Sequence, residues 1–319
     1  MQADLKTLNI GILGVGEFSE SSIRNFIDRK MFGLCCGLHS NPYDELIKLR
    51  SFDELDKAVD AVLVMGEDYC LYENLVEIIK SCKHLFIRHA HHLSKHQLKK
   101  LANLACEAGV KVHISNGQKF TKVHDDIKEK AVEPHIIECS HYRKRAGDDE
   151  AFSIIEHALL PDIDVVLSLA KSRVRGVSAT GVGVICDDPD VVNARIEFYN
   201  GCVATISASK IADKQVHKIR FFQNNHYYTI NYQDHSLRVV KNNDGSTEIS
   251  GEHKTDQIED ETMYHEMVNQ QEILDKEIES FYYCIVLGTE PICPIDDFIE
   301  ARSVADRVLD QLERNFRRK

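Results

Sequence analysis

"NIGILGVGEFSE", residues 9–20, decides the fold. Its first half is an apolar run with the length and content of a buried strand. Gly14-Val15-Gly16-Glu17-Phe18-Ser19 then breaks the run before the helical spacing of "SESSIRNFIDRKMFG" begins. Strand, Gly-rich turn and helix stand in the order a dinucleotide-binding unit requires. The glycines let the backbone turn tightly and let a pyrophosphate approach the helix N-terminus, where unpaired N–H groups favour an anion. On this reading Gly14, Gly16, Glu17 and Phe18 form a cofactor-binding turn.

Such a turn is weak by itself, and the residues that follow strengthen it. "LCCGL" (34–38), "AVLVM" (61–65), "HLFI" (84–87) and "VKVHIS" (110–115) read as further strands. Between them, "YCLYENLVEIIKSC" (69–82) and "SKHQLKKLANLACEAG" (94–109) carry helical periodicity, the second with Ser94 as N-cap and Gly109 as its stop. Alternating strands and helices predict an α/β fold with a doubly wound parallel sheet over residues 1–117, one early crossover being short. From residue 118 the texture changes. "ARIEFYNGCVATISASK" places Ala194, Ile196 and Phe198 on one face and predicts a two-residue hairpin turn at Asn200-Gly201. "IRFFQ", "HYYTINY" and "LRVVK" continue the pattern, so residues 118–319 are expected to form a second α/β domain with a large, mostly antiparallel open sheet. Helices are expected near "DIDVVLSLAKS" and at the C-terminus. The acidic stretch 251–281 reads as a solvated loop leading into a helix, not as a catalytic carboxylate pair.

Bulk properties agree with two cores. The chain has 319 residues, 43% hydrophobic and 28% charged, with six prolines, the composition of a folded protein. A net charge of -12 argues against a broad nucleic-acid or anionic-membrane surface. The start of the chain lacks a leader pattern, and no apolar run approaches the roughly 18 residues of a membrane span. A cytoplasmic protein is expected. The ten cysteines never form a Cys-x-x-Cys pair and are expected as reduced thiols. In "FIRHAHHLSKHQ" (86–97), His92 and His96 stand four apart, but Ser94 begins the helix, so the two do not share a helical face. No metal site is expected there.

The chain resembles the Gfo/Idh/MocA oxidoreductases, named after glucose-fructose oxidoreductase and inositol dehydrogenase. The likeness rests on "NIGILGVGEFSE", "VDAVLVM", "CKHLFIRHAHHLSKHQLKKLANLACEAGVKVHIS", "PDIDVVLSLAKSRVRGVSATGVGV", "PDVVNARIEFYNGCVATISASK" and "IESFYYCIVLGTEPICPIDDFIEARSVADRVL". It implies a Rossmann domain followed by a substrate domain whose sheet builds a homodimer or homotetramer. It also implies NAD or NADP as cofactor and a small, sugar-like substrate whose hydroxyl or carbonyl exchanges a hydride.

The departures from the family pattern are as informative. Where the family carries Glu-Lys-Pro after the strand ending at Ile87, this chain has Arg88-His89-Ala90. Aligning the family's "x-I-D" segment on Asp162-Ile163-Asp164 puts His157 at the family's Asp position and Pro161 at its proton-accepting His. Proline has no proton to exchange. Its fixed φ and missing N–H suit the first turn of a helix instead. His39 stands where an acidic residue would hold the adenine ribose, and Gly66-Glu67 replaces the family's Thr-Pro.

Two readings stay open. In the first, an NAD(P)-dependent oxidoreductase uses His89 and His157 for proton transfer, since imidazole serves near neutral pH. Gly66, Arg88 and His39 then join the cofactor site, and Arg143 and Asp162 hold substrate. In the second, a catalytically silent protein keeps the fold to bind a nucleotide or sugar.

Overall fold

The computed structural model describes residues 6–14, 20–38, 47–49, 54, 57–121, 124, 127, 133–144, 153–185, 188–223, 225–241, 261–265 and 270–316. Gly16, Glu17, Phe18 and His39 lie outside the described residues. The chain divides into two compact units, residues 1–120 with 269–300, and residues 121–268 with 301–319.

The first unit is built on a six-stranded sheet in the order β3-β2-β1-β4-β5-β6, with every described pairing parallel. The strands are β1 (Leu8–Leu13), β2 (Phe32–Leu38), β3 (Ile47–Leu49), β4 (Ala61–Val64), β5 (His84–Ile87) and β6 (Val112–Ile114). Side chains alternate between two cores, as strand geometry requires. Val62 and Val64 of β4, with Leu85 and Ile87 of β5, face the helices α2 (Tyr72–Lys80) and α3 (Lys95–Ala108). Ala61, Leu63 and Phe86 face the opposite core, which α1 (Glu20–Asp28) reaches through Phe26. Burial on both faces explains why these strands read as short, continuous apolar runs.

α3 confirms its sequence signals at both ends. Ser94 accepts from the Gln97 N–H while the Gln97 side chain accepts from the Ser94 N–H, and Gly109 closes the helix in the left-handed region at φ 67°.

The second core of this unit takes a helix from far along the chain. α5 (Gln270–Leu287) contributes Leu274, Ile278, Phe281 and Tyr282, spaced as one helical face, to the cluster around Phe26 and Phe86. A linear division at residue 117 leaves this return out. The acidic stretch is also less uniform than its charge implies. Residues 251–260 lie outside the described residues, Glu261–His265 form a strand, and Glu277 is 0% exposed. Its carboxylate accepts from the Ser115 hydroxyl at 2.8 Å and the Asn116 N–H at 2.8 Å, and meets His113 Nε2 at 3.2 Å. The His113 ring stacks on Phe86 with centroids 4.9 Å apart. Sequence charge pattern fails here because three partners from the β6 end make burial of a carboxylate affordable.

The second unit carries an eight-stranded sheet in the order β14-β13-β12-β11-β7-β10-β9-β8. Its strands are β7 (Ile136–Lys144), β8 (Val174–Val182), β9 (Val191–Phe198), β10 (Val203–Ala212), β11 (Val216–Gln223), β12 (His226–Asn231), β13 (Ser236–Lys241) and β14 (Glu261–His265). Among the described residues β7 and β10 pair parallel and the other pairings are antiparallel. Ala194, Ile196 and Phe198 share the buried face as expected. The β9–β10 hairpin differs from expectation. Phe198 pairs with Cys202 around three residues, Tyr199, Asn200 and Gly201, with Gly201 at φ 89°. Asn200 turns its side chain to the Ala170 carbonyl and the Cys202 N–H, which favours the longer loop.

α4 (Leu160–Ala170) packs against this sheet, and Pro161 does sit in its first turn. A π-helical turn, Ile155–Leu159, runs directly into it, so the N-terminus of α4 is not open. The wider turn carries the chain past a residue with no N–H to give. The residues of Ala301–Phe316 in the last helix, α6 (Ile295–Phe316), belong to this unit, and Gln311 bonds to the β8 backbone at Val177 and Ala179.

Candidate functional site

In the first unit the strand order reverses between β1 and β4, and a ligand crevice is expected at the carboxyl ends of those strands. Gly14 follows β1 and Gly66 follows β4. The two backbones are in contact: Met65 and Gly66 both donate N–H groups to the Leu13 carbonyl, at 2.8 Å and 3.2 Å. Gly14 adopts φ 84°, and a Cβ built on it would lie 2.3 Å from the Gly66 nitrogen. Both the dihedral and the space exclude any other residue. The close approach of the β1 and β4 ends thus requires glycine at position 14.

The next strand, β5, delivers Arg88 and His89. The Arg88 N–H continues the ladder to the Val64 carbonyl at 2.9 Å. His89 follows, its side chain 28% exposed, with Nδ1 3.7 Å from the Glu67 carboxylate; His91 Nε2 stands 3.9 Å from the same oxygen. Glu67 therefore faces imidazoles. His92 is engaged elsewhere, its Nε2 lying 2.6 Å from the Cys70 carbonyl. Burial pushes the Cys70 thiol up to about 12, against a backbone hydrogen bond from His89, with the Glu67 charge adding to the rise. Cys70 stays a thiol.

In the second unit two histidines meet the expected Asp162. Its side chain is 0% exposed. One oxygen lies 3.0 Å from His141 Nδ1 and the other 2.8 Å from His217 Nε2. His141 and His217 are direct partners across β7 and β11, and their rings stack with centroids 4.0 Å apart. Burial alone would raise the Asp162 carboxyl. The His217 charge, hydrogen bonds from both imidazoles and the His141 charge outweigh it and hold the group well below the usual carboxylate range. Asp162 thus reaches a small molecule only through these histidines. Sequence reading missed His141 and His217, which stand 76 residues apart and meet only through strand register. The one available signal was strand alternation: Cys139, His141 and Arg143 fall on one face of β7. His157 lies in the π-turn with Nδ1 3.1 Å from the Ser153 carbonyl. If Nδ1 carries the proton there, Nε2 is the basic nitrogen.

No family model matches the chain. Its sequence is similar to UDP-N-acetylglucosamine 3-dehydrogenase from Acidithiobacillus ferrooxidans, 25% identical over 93 residues; the match spans 29% of this chain and 30% of that relative. A solved structure of the same enzyme superposes with a TM-score of 0.81 at 16% identity, over 98% of this chain and 100% of that one. An NAD-binding oxidoreductase from Klebsiella pneumoniae gives a TM-score of 0.79 at 15% identity over 97% and 98% of the two chains. Levoglucosan dehydrogenase in complex with NADH and levoglucosan gives 0.77 at 13% identity over 97% and 98%. The chain shares its fold with these solved structures over nearly its whole length.

Proposed function

We propose that this protein is an NAD(P)-dependent oxidoreductase acting on a hydroxyl or carbonyl of a sugar-like small molecule. The observation that carries the reading is the contact of Gly14 with Gly66 at the reversal of strand order, where bare backbone is required. Full-length likeness to dehydrogenases, one solved with NADH and a sugar derivative, supports it.

In this reading Gly14, Gly66 and Arg88 hold the nucleotide, with Gly16, Glu17, Phe18 and His39 completing its site. A bound nicotinamide supplies or accepts the hydride. His89 takes the hydroxyl proton during oxidation and returns it during reduction, with Glu67 balancing its charge. His157 is the second candidate for that proton. Arg143 fixes substrate by charge and hydrogen bonds, and Asp162 acts by holding His141 and His217 in place. The reading further places the protein in the cytoplasm as a homodimer or homotetramer formed through the second sheet.

The test is turnover: sugars and nucleotide sugars offered with NAD+ or NADP+, followed by nicotinamide absorbance. Wild type is expected to turn over at least one, and His89→Ala to lose about 100-fold or more in kcat, the usual worth of a positioned acid-base group. A second reading rests on Pro161, which leaves the family's proton acceptor without a proton to move: the fold binds nucleotide or sugar and performs no chemistry. Nucleotide binding without turnover across that panel favours it.

A further inference from the structure

The cluster around Asp162 lies within the second unit, and its donors converge. One ligand atom from each of His141, His217 and Asp162 lies within 4.8 Å of the other two. In a tetrahedral site with metal–ligand lengths of about 2.0–2.2 Å, neighbouring donors stand about 3.3 Å apart. His141 Nδ1 stands 3.0 Å from one Asp162 oxygen and His217 Nε2 2.8 Å from the other, each separation close to that. The geometry points to a binding site for one divalent transition-metal ion of the zinc class, held by His141, His217 and Asp162.

Four features of the cluster support this. First, the donor set is two imidazoles and one carboxylate, borderline ligands suited to Zn2+, Co2+ or Fe2+ and poorly suited to Mg2+. Second, the ligands stand on packed elements: the histidines face each other across two paired strands and Asp162 comes from the first turn of α4. Little ordering is left for the metal to impose. Third, an imidazole ring has two nitrogens, so one can coordinate while the other carries the ring proton. Fourth, further polar atoms surround the site. The Cys139 thiol, two residues before His141 on the same face of β7, hydrogen-bonds Asp162. The Tyr232 ring packs on His217 with centroids 4.7 Å apart, and its buried hydroxyl has no hydrogen-bond partner among the described residues. His141 and His217 keep 21% and 14% of their side chains exposed, which gives an ion a way in and an oxygen ligand a place to bind.

The inference does not rest on the oxidoreductase reading. Untagged full-length protein, stripped with chelator, would be titrated with Zn2+ against a chromophoric chelator and with Co2+ followed by its visible absorption. The expected result is one tight equivalent per chain, with a four-coordinate Co2+ spectrum. In His217→Gln, which can still hydrogen-bond Asp162, and in Asp162→Asn, affinity for that equivalent should fall about 100-fold or more, beyond the effect typical of a group outside the ligand shell. The double variant His89→Ala/His91→Ala should retain it. Circular dichroism would establish that the variants are folded, and His141→Gln replaces either that is not. Absence of a tight equivalent in wild type, its persistence in folded His217→Gln, or its loss in the His89/His91 variant would overturn the assignment. A purely structural His-Asp-His network predicts the first of these.

Discussion

At the residue scale, two glycines with similar dihedrals carry opposite demands. Gly14, at φ 84°, has the Gly66 backbone where a Cβ would go; Gly109, at φ 67°, has nothing within 4 Å. Gly109→Ala should cost only the left-handed penalty, roughly 1 kcal/mol in a denaturant melt. Gly14→Ala should cost clearly more and abolish any nucleotide-induced rise in melting temperature. Equal costs would refute the close approach. Asp162 makes a prediction in pH. Its folded carboxyl is held below the ordinary value near 3.9, so its stabilisation is present above that value and lost as pH falls beneath it. Asp162→Asn should be less stable than wild type by about 3 kcal/mol at neutral pH, with the gap closing below about pH 4. Urea melts across that range measure it, and a constant gap would contradict the account. Of these residues, Gly14 was legible because a turn before a helix is local chemistry. The partners of Asp162 were not, because strand register brings them together.

At the element scale, α3 and α5 show the two ways helices are fixed. α3 is specified within its own sequence by the box at Ser94 and the stop at Gly109. Ser94→Ala should lower stability by about 1 kcal/mol, read as a shift in melting midpoint with an unchanged denaturant slope. α5 depends on contacts more than 160 residues away in sequence, through Glu277 to Ser115 and Asn116. Glu277→Ala strips an acceptor from three buried or half-buried partners and should cost about 3–5 kcal/mol; Glu277→Gln, which keeps one acceptor oxygen, should fall between it and wild type. Nearly neutral behaviour of the alanine variant would mean that the helix is not held this way. Charge pattern alone marked this stretch as solvated. Nothing in a single sequence distinguishes Glu277 from its exposed neighbours until the β6 end is placed beside it. The same limit applies at Pro161, legible as a first-turn residue but not as the sequel to a π-turn.

At the scale of the whole molecule, the alternating strands and helices of the first unit and the hairpins of the second were readable as a fold class, because each element announces its period. The return of residues 269–300 to the first unit was not, since an amphipathic helix does not say which core it completes. Among the described residues, no helix is long and apolar enough to cross a membrane. The crevice at the ends of β1 and β4 is proposed to receive a nicotinamide nucleotide. Thermal unfolding of the full chain with NADH and with NADPH tests it most directly. At 100 times its Kd, at least one of them should stabilise wild type by about 2.7 kcal/mol. No shift with either nucleotide at saturating supply would contradict the account.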